Sequence, residues 1–200
     1  SVELDKRMVG DLFKGPGSSA YQPDYLKIYP CMVIAGTELS ENYRRGEFKP
    51  YDDKTLQEVL LAEMLSIPEW CRVDRVARDI PAPDIEAGSK ISNIRQVLED
   101  GLRKEGRTFR DIRSREIQNE IVDPAAVGLV VREYDASGGK ELFISYEDLQ
   151  KDKLVALIRL RFPGRTFISE LRGAAIVREI HVYGKQLAVG DKQRGEKQHI

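Results

Sequence analysis

A mixed α/β and α+β fold is predicted by three observations. In the first half of the chain, apolar residues at helical spacing alternate with short strand-like runs. From Val127 onward the period changes to two, and successive segments alternate inward and outward residues. Between the halves, residues 107–120 are dominated by charge, with no apolar stripe until Ile112, Ile117 and Ile121.

Taken in order, a weakly amphipathic piece (Leu4, Met8, Leu12, Phe13) precedes Gly15-Pro16-Gly17-Ser18-Ser19, which sustains neither helix nor strand and reads as a loop. Residues 26–35 (LKIYPCMVIA) form a nearly continuous apolar run of the kind buried on both faces in a parallel sheet. After Asp52-Asp53, the spacing of Leu56, Val59, Leu60, Met64 and Leu65 predicts a helix, with Thr55 and Glu58 placed as a capping box and Pro68 as its stop. CRVDRVARDIP then reads as a short strand, so that strand, helix and strand make a βα repeat. A second helix is predicted over residues 93–105, with Ile94, Val97, Leu98 and Leu102 on one side and Gly106 where a C′ glycine belongs.

Residues 107–122 are read as a linker between two domains, 1–106 and 123–200. In the second domain GLVVREY, ELFISYED, LVALIRLRF and AAIVREIHVYG predict four strands of an antiparallel meander, the first pair joined by Ala136-Ser137-Gly138-Gly139.

Of the 200 residues, 41% are hydrophobic, enough for a substantial core. Lys and Arg number 32 against 33 Asp and Glu, which excludes a grossly basic nucleic-acid binder but leaves room for a local basic face. Cys31 and Cys71, without a CxxC partner or nearby histidines, make no disulfide framework, zinc finger or cluster site and read as reduced thiols. With no apolar run near the roughly 18 residues of a membrane span and no signal-like start, no membrane association is expected and the chain reads as cytoplasmic.

The last strand is followed by a polar stretch and then Gln198-His199-Ile200. This order resembles GNAT-type acetyltransferases, in which a long strand precedes a glutamine- or arginine-led glycine loop. Such a loop offers backbone N–H groups to the coenzyme A pyrophosphate. A wider resemblance covers nearly the whole chain from about Tyr25. LKIYP, AGTEL, RVARDIP, NIRQ, FRDIRSRE, ASGGKELFISYED, LIRLRFP, IVREIHVYG and KQH match, in order and spacing, the tRNA uridine-34 acetyltransferases, the family of the Elongator catalytic subunit.

This resemblance implies the C-terminal part of a radical SAM βα barrel followed by the N-terminal antiparallel sheet of a GNAT-like domain. It implies a parent enzyme forming 5-carboxymethyluridine at the wobble uridine of tRNA from acetyl-CoA, S-adenosylmethionine and a [4Fe–4S] cluster. It also implies tRNA as partner, with other Elongator subunits or a second copy of the chain. The cluster's cysteine motif lies upstream in the family, and three thiolates are not present here. Where some members carry a zinc motif in the linker, this chain has Phe109, Asp111 and Ser114, so no metal is expected.

By the same resemblance, Glu179, Ile180, His181 and Val182 would lie along the acetyl-CoA pantetheine arm and Gln198 would open the pyrophosphate loop. No catalytic residue is assigned. The alternative is that Ile180 and Val182 are core residues while Glu179 and His181 decorate the other face of the strand, with His181 as a hydrogen-bonded structural histidine. For RNA, Arg72, Arg75, Arg78, Arg110, Arg113 and Arg115 are the candidates, since the guanidinium fork suits phosphate and they would flank the cleft between the domains. Interleaved acidic residues allow the alternative of a solvated face of local ion pairs. On these grounds the isolated chain is expected to be inactive, and the alternative is a non-catalytic RNA-binding or scaffold piece.

Overall fold

The structure, a computed structural model, describes residues 1–14 and 21–184. The chain divides into two compact units, one of residues 1–11 and 23–111, the other of residues 12–22 and 112–200. As expected, helices and short strands make up the first unit and an antiparallel sheet dominates the second.

The first unit opens with α1 (Val2–Asp11), which buries Val9 and Gly10, while Leu4 and Met8 of the expected apolar face stay exposed. The apolar run at 26–35 forms two strands, because Pro30 has no N–H to give to a ladder. β1 (Tyr25–Ile28) is alternately exposed and half-buried, which corrects the expectation of one strand covered on both faces. β2 (Val33–Ile34) turns away to pair antiparallel with β4 (Ile85–Ala87).

α2 (Glu38–Arg44) is capped by Thr37, and α3 (Asp53–Leu65) by Asp52, whose carboxylate accepts the Thr55 N–H at 2.8 Å. The capping box expected from Thr55 and Glu58 is therefore not formed. The helix starts earlier, because Asp52 reaches that N–H first, and Glu58 instead lies 3.6 Å from Lys6. β3 (Arg72–Val76) returns parallel to β1, which completes the βα repeat. α4 (Ile94–Lys104) buries Ile94, Leu98 and Leu102 and ends at Gly106, whose φ of 68° is the left-handed conformation a C′ glycine supplies. Val33, Leu60, Met64, Val73 and Phe109 complete this core.

The stretch read as a linker is not a solvated tether. Phe109 and Asp111 are buried in the first unit, and Ile112, Arg115 and Ile117 are buried in the second.

The second unit contains α5 (Ile112–Arg115) and a sheet ordered β5-β6-β7-β8, all antiparallel. Its strands are β5 (Val127–Ala136), β6 (Gly139–Asp148), β7 (Lys153–Phe162) and β8 (Ile176–Val182). The expected hairpin is present: Ala136 pairs with Gly139, and Ser137 and Gly138 both have positive φ, 45° and 73°.

The two faces of this sheet differ in kind. The Glu141-Phe143-Ser145-Glu147 phase of β6 is buried, as are Leu157 and Arg159 on β7. The opposite phase carries Leu129, Val131, Tyr146, Phe162, Val177 and Ile180, all exposed.

Candidate functional site

β8 occupies one end of the sheet order, and among the described residues no strand pairs with its outer edge. Its inner edge is fixed to β7 by the register Arg159↔Glu179, Ile158↔Ile180, Leu157↔His181 and Ala156↔Val182. All four strand residues expected to lie along a pantetheine arm are thus on the edge strand of the described sheet, and the outward N–H and C=O groups of an edge strand can receive an extended ligand as a further strand. Gln198 lies outside the described residues.

The side chains along β8 have different duties. Ile180 is 69% exposed on the apolar face. On the other face Glu179 accepts a hydrogen bond from Arg159 Nε at 2.6 Å, and the His181 ring lies 4.3 Å from that of Tyr183. This corrects the alternative in which Ile180 packs in the core and Glu179 is mere decoration, because the Glu179 face of the strand is the one that meets the buried Arg159.

Behind this edge lies an ionic network that pattern reading missed. Arg159, 1% exposed, stacks over Phe143 at 5.1 Å from the ring centroid while it bonds Glu179. Arg161 and Arg178 both donate to Glu141, at 2.6 and 2.8 Å. Arg132 donates to Glu147 at 2.6 Å, Ser145 Oγ donates to the same oxygen at 2.6 Å, and Arg115 also pairs with Glu147. Burial alone would push the Glu147 carboxyl up, but Arg132, Ser145 and Arg115 outweigh it and hold it below the usual range. The signal was present in the sequence: Glu141, Ser145 and Glu147 share one strand phase, in step across the register with Arg132 and Arg159.

The arginine candidates separate. Arg115 is buried, with Glu147 and, at 3.1 Å, Asp152 as its partners, so it is withdrawn from the surface a phosphate could reach. Arg72 and Arg75 lie on β3 with Arg78 just beyond it. Arg72 pairs with Asp74 at 2.9 Å and Arg75 with Asp79 at 2.7 Å. Arg110 donates from Nε to Glu69 at 2.9 Å. Arg75, Arg78 and Arg113 are exposed. The Arg75–Asp79 pair is exposed on both sides, and such a pair is worth about 0–1 kcal/mol and is screened by salt, so a phosphate can replace the carboxylate there at little cost.

Among the residues aligned with the family's zinc motif, Asp111 is committed elsewhere. It accepts from Val73 N–H at 3.2 Å and from Arg95 at 2.8 Å. Among the described residues no three His, Cys, Asp or Glu side chains are grouped to hold a metal ion, and Cys31 is exposed whereas Cys71 is buried. The donor set of this chain does not fit a three-thiolate cluster. Among the described residues no helix is long and apolar enough to cross a membrane.

Comparison with known proteins agrees with this architecture. Residues 23–104 match the Radical_SAM C-terminal domain. The tRNA uridine(34) acetyltransferase of Methanocaldococcus infernus is 41% identical over 196 residues, covering 94% of this chain and 36% of that protein. Elongator complex protein 3 of Homo sapiens is 40% identical over 204 residues, covering 99% of this chain and 37% of that protein. The solved structure of archaeal Methanocaldococcus infernus Elp3 with an N-terminal deletion has a TM-score of 0.86 and 39% identity, and the match covers 100% of this chain and 48% of that one. The chain spans little more than a third of the length of the curated relatives it matches, 36% and 37%. Sequence and fold together assign this chain to the family of the tRNA uridine(34) acetyltransferases and Elongator complex protein 3.

Proposed function

We propose that this chain is part of a tRNA-modifying acyltransferase acting at the wobble uridine, and that β8 is the strand along which the acetyl-CoA arm lies. The edge position of β8, whose outer side no strand among the described residues covers, carries this reading. A pantetheine arm is an extended chain with two amides, so it can bond to Glu179, Ile180, His181 and Val182 main chain as a strand does. Acetyl-CoA supplies the two-carbon unit of a 5-carboxymethyl group. S-adenosylmethionine with a [4Fe–4S] cluster supplies radical chemistry in the parent protein, and no step is assigned to this chain's residues there, because its two cysteines cannot ligate the cluster.

The residues of this chain bind and orient. The Arg159–Glu179 pair holds the edge strand in register, and Ile180 and Val182 offer apolar surface beside the arm. Arg72, Arg75, Arg78, Arg110 and Arg113 are the tRNA phosphate contacts in this reading, and Arg115 is not. The domain assignment is a barrel part followed by an acetyltransferase sheet. Other Elongator subunits, or a second copy, are the protein partners it admits.

Hydrogen exchange tests the coenzyme reading. Adding acetyl-CoA to the full-length protein is expected to slow exchange of the outward-facing amides of Ile176–Val182; equal rates with and without it overturn the placement. The 200-residue chain alone is expected not to turn over acetyl-CoA, and free coenzyme A released above a no-tRNA control contradicts that.

A further inference from the structure

The loop between β7 and β8, residues 163–175, presents an aromatic ring to solvent. Phe167 is 96% exposed, the most open of the large apolar side chains among the described residues. The local hydrogen bonds hold it there. Thr166 Oγ accepts the Ile168 N–H at 3.1 Å, directly across the base of Phe167. A single 3₁₀ turn (Ser169–Leu171) follows, in which Arg172 N–H donates to the Ser169 carbonyl at 3.2 Å. The start of the loop is anchored at Gly164, where any Cβ would collide with the Gly138 carbonyl of the neighbouring hairpin.

The charges around the ring are equally specific. Arg159, Arg161 and Arg178, on the strands flanking the loop, are committed to Glu179 and Glu141. Arg165 and Arg172, in the loop itself, are exposed, and among the described residues neither has a carboxylate within ion-pair distance. The loop's one acid, Glu170, is held ionised below the usual range by a backbone N–H and the Ser169 hydroxyl, so two arginines against one glutamate leave a net positive loop.

An exposed aromatic in a loop that also carries exposed guanidinium groups is the chemistry that recognises an unpaired nucleotide: the ring stacks on the base while arginines take the flanking phosphates. We propose that residues 163–175 form a contact for single-stranded RNA, with Phe167 as the stacking platform and Arg165 and Arg172 as phosphate ligands. This inference rests on the tRNA reading above. Along the chain Phe167 stands among Arg165, Thr166, Ser169, Glu170 and Arg172 as well as Ile168 and Leu171, and this mixture of an aromatic with cations favours RNA over a protein partner, which the test below separates.

The test uses the full-length protein with tRNA, an unstructured oligouridylate and a duplex RNA of the same length. Phe167→Ala is expected to weaken tRNA and oligouridylate binding about tenfold and to leave duplex binding and the salt slope unchanged. Phe167→Tyr should retain wild-type affinity. Indole fluorescence of the Phe167→Trp variant should be quenched by the oligouridylate, and the Arg165→Gln, Arg172→Gln double variant should show a shallower salt slope. Wild-type affinity in Phe167→Ala together with an unquenched indole overturns the proposal, as does unchanged RNA binding accompanied by altered self-association, which marks a protein contact. If the wild-type protein binds no tRNA, the tRNA reading itself has failed, and this contact fails with it.

Discussion

Arg159 on β7 donates from Nε to Glu179 on β8 at 2.6 Å, and this pair ties the edge strand of the described sheet to its interior. With Arg159 only 1% exposed, deleting the carboxylate takes an ionic partner from a buried guanidinium. Glu179→Ala is therefore expected to destabilise the protein by about 3 kcal/mol. Urea unfolding measures it, and a midpoint equal to wild type would show that the pair contributes nothing.

Arg115 lies in the sequence among the RNA candidates but is buried in the fold. Arg115→Ala is expected to cost about 3 kcal/mol of stability, because Glu147 loses one of its cations. Folded Arg115→Ala should still bind tRNA with the wild-type salt slope. A shallower slope in this variant would return Arg115 to the RNA surface.

Arg75 and Arg113 are exposed, and the opposite outcome is expected there. Arg75→Glu with Arg113→Glu should weaken tRNA binding at least tenfold at low salt and flatten its salt dependence by about one to two released ions. Filter binding across a salt series reads both quantities, and unchanged values remove these residues from the footprint.

A pH dependence follows from Glu63 on α3. Burial, aided by the nearby Asp5 carboxylate, pushes its carboxyl up to about 7 from the ordinary 4.5. The folded protein then binds a proton that the unfolded chain gives up. Its contribution is present in full below pH 4.5 and is lost as pH rises through about 7. Glu63→Gln is expected to remove that decline and to stabilise the protein at pH 8 by on the order of 2 kcal/mol. Thermal unfolding of both proteins across this range is decisive; parallel profiles would mean that Glu63 does not titrate as stated.

Much of the fold was legible because local chemistry and tertiary packing agreed. Gly106 ends α4, the Ser137-Gly138 pair turns the hairpin, and the period of two marks all four strands. Disagreement arose where a second local feature overrode the pattern. Pro30 split an apolar run because it has no N–H to give to a ladder, and Asp52 capped the helix ahead of the expected capping box. The candidate site was legible on β8 through its resemblance alone. Its supporting network was not, because charge in a strand ordinarily marks the solvent face, and here Glu141, Ser145, Glu147 and Arg159 mark the buried one.

That inversion bears on how the strands find their alignment. On an aliphatic face, sliding a strand by two residues exchanges one methyl contact for another of similar worth. Sliding β7 by two residues would instead put one of Arg159 and Arg161 in the other's place and leave either Glu179 or Glu141 without its β7 partner. Misaligned versions of the meander are thus penalised electrostatically, and the β8 edge is kept in one frame by ions on the buried face of the sheet.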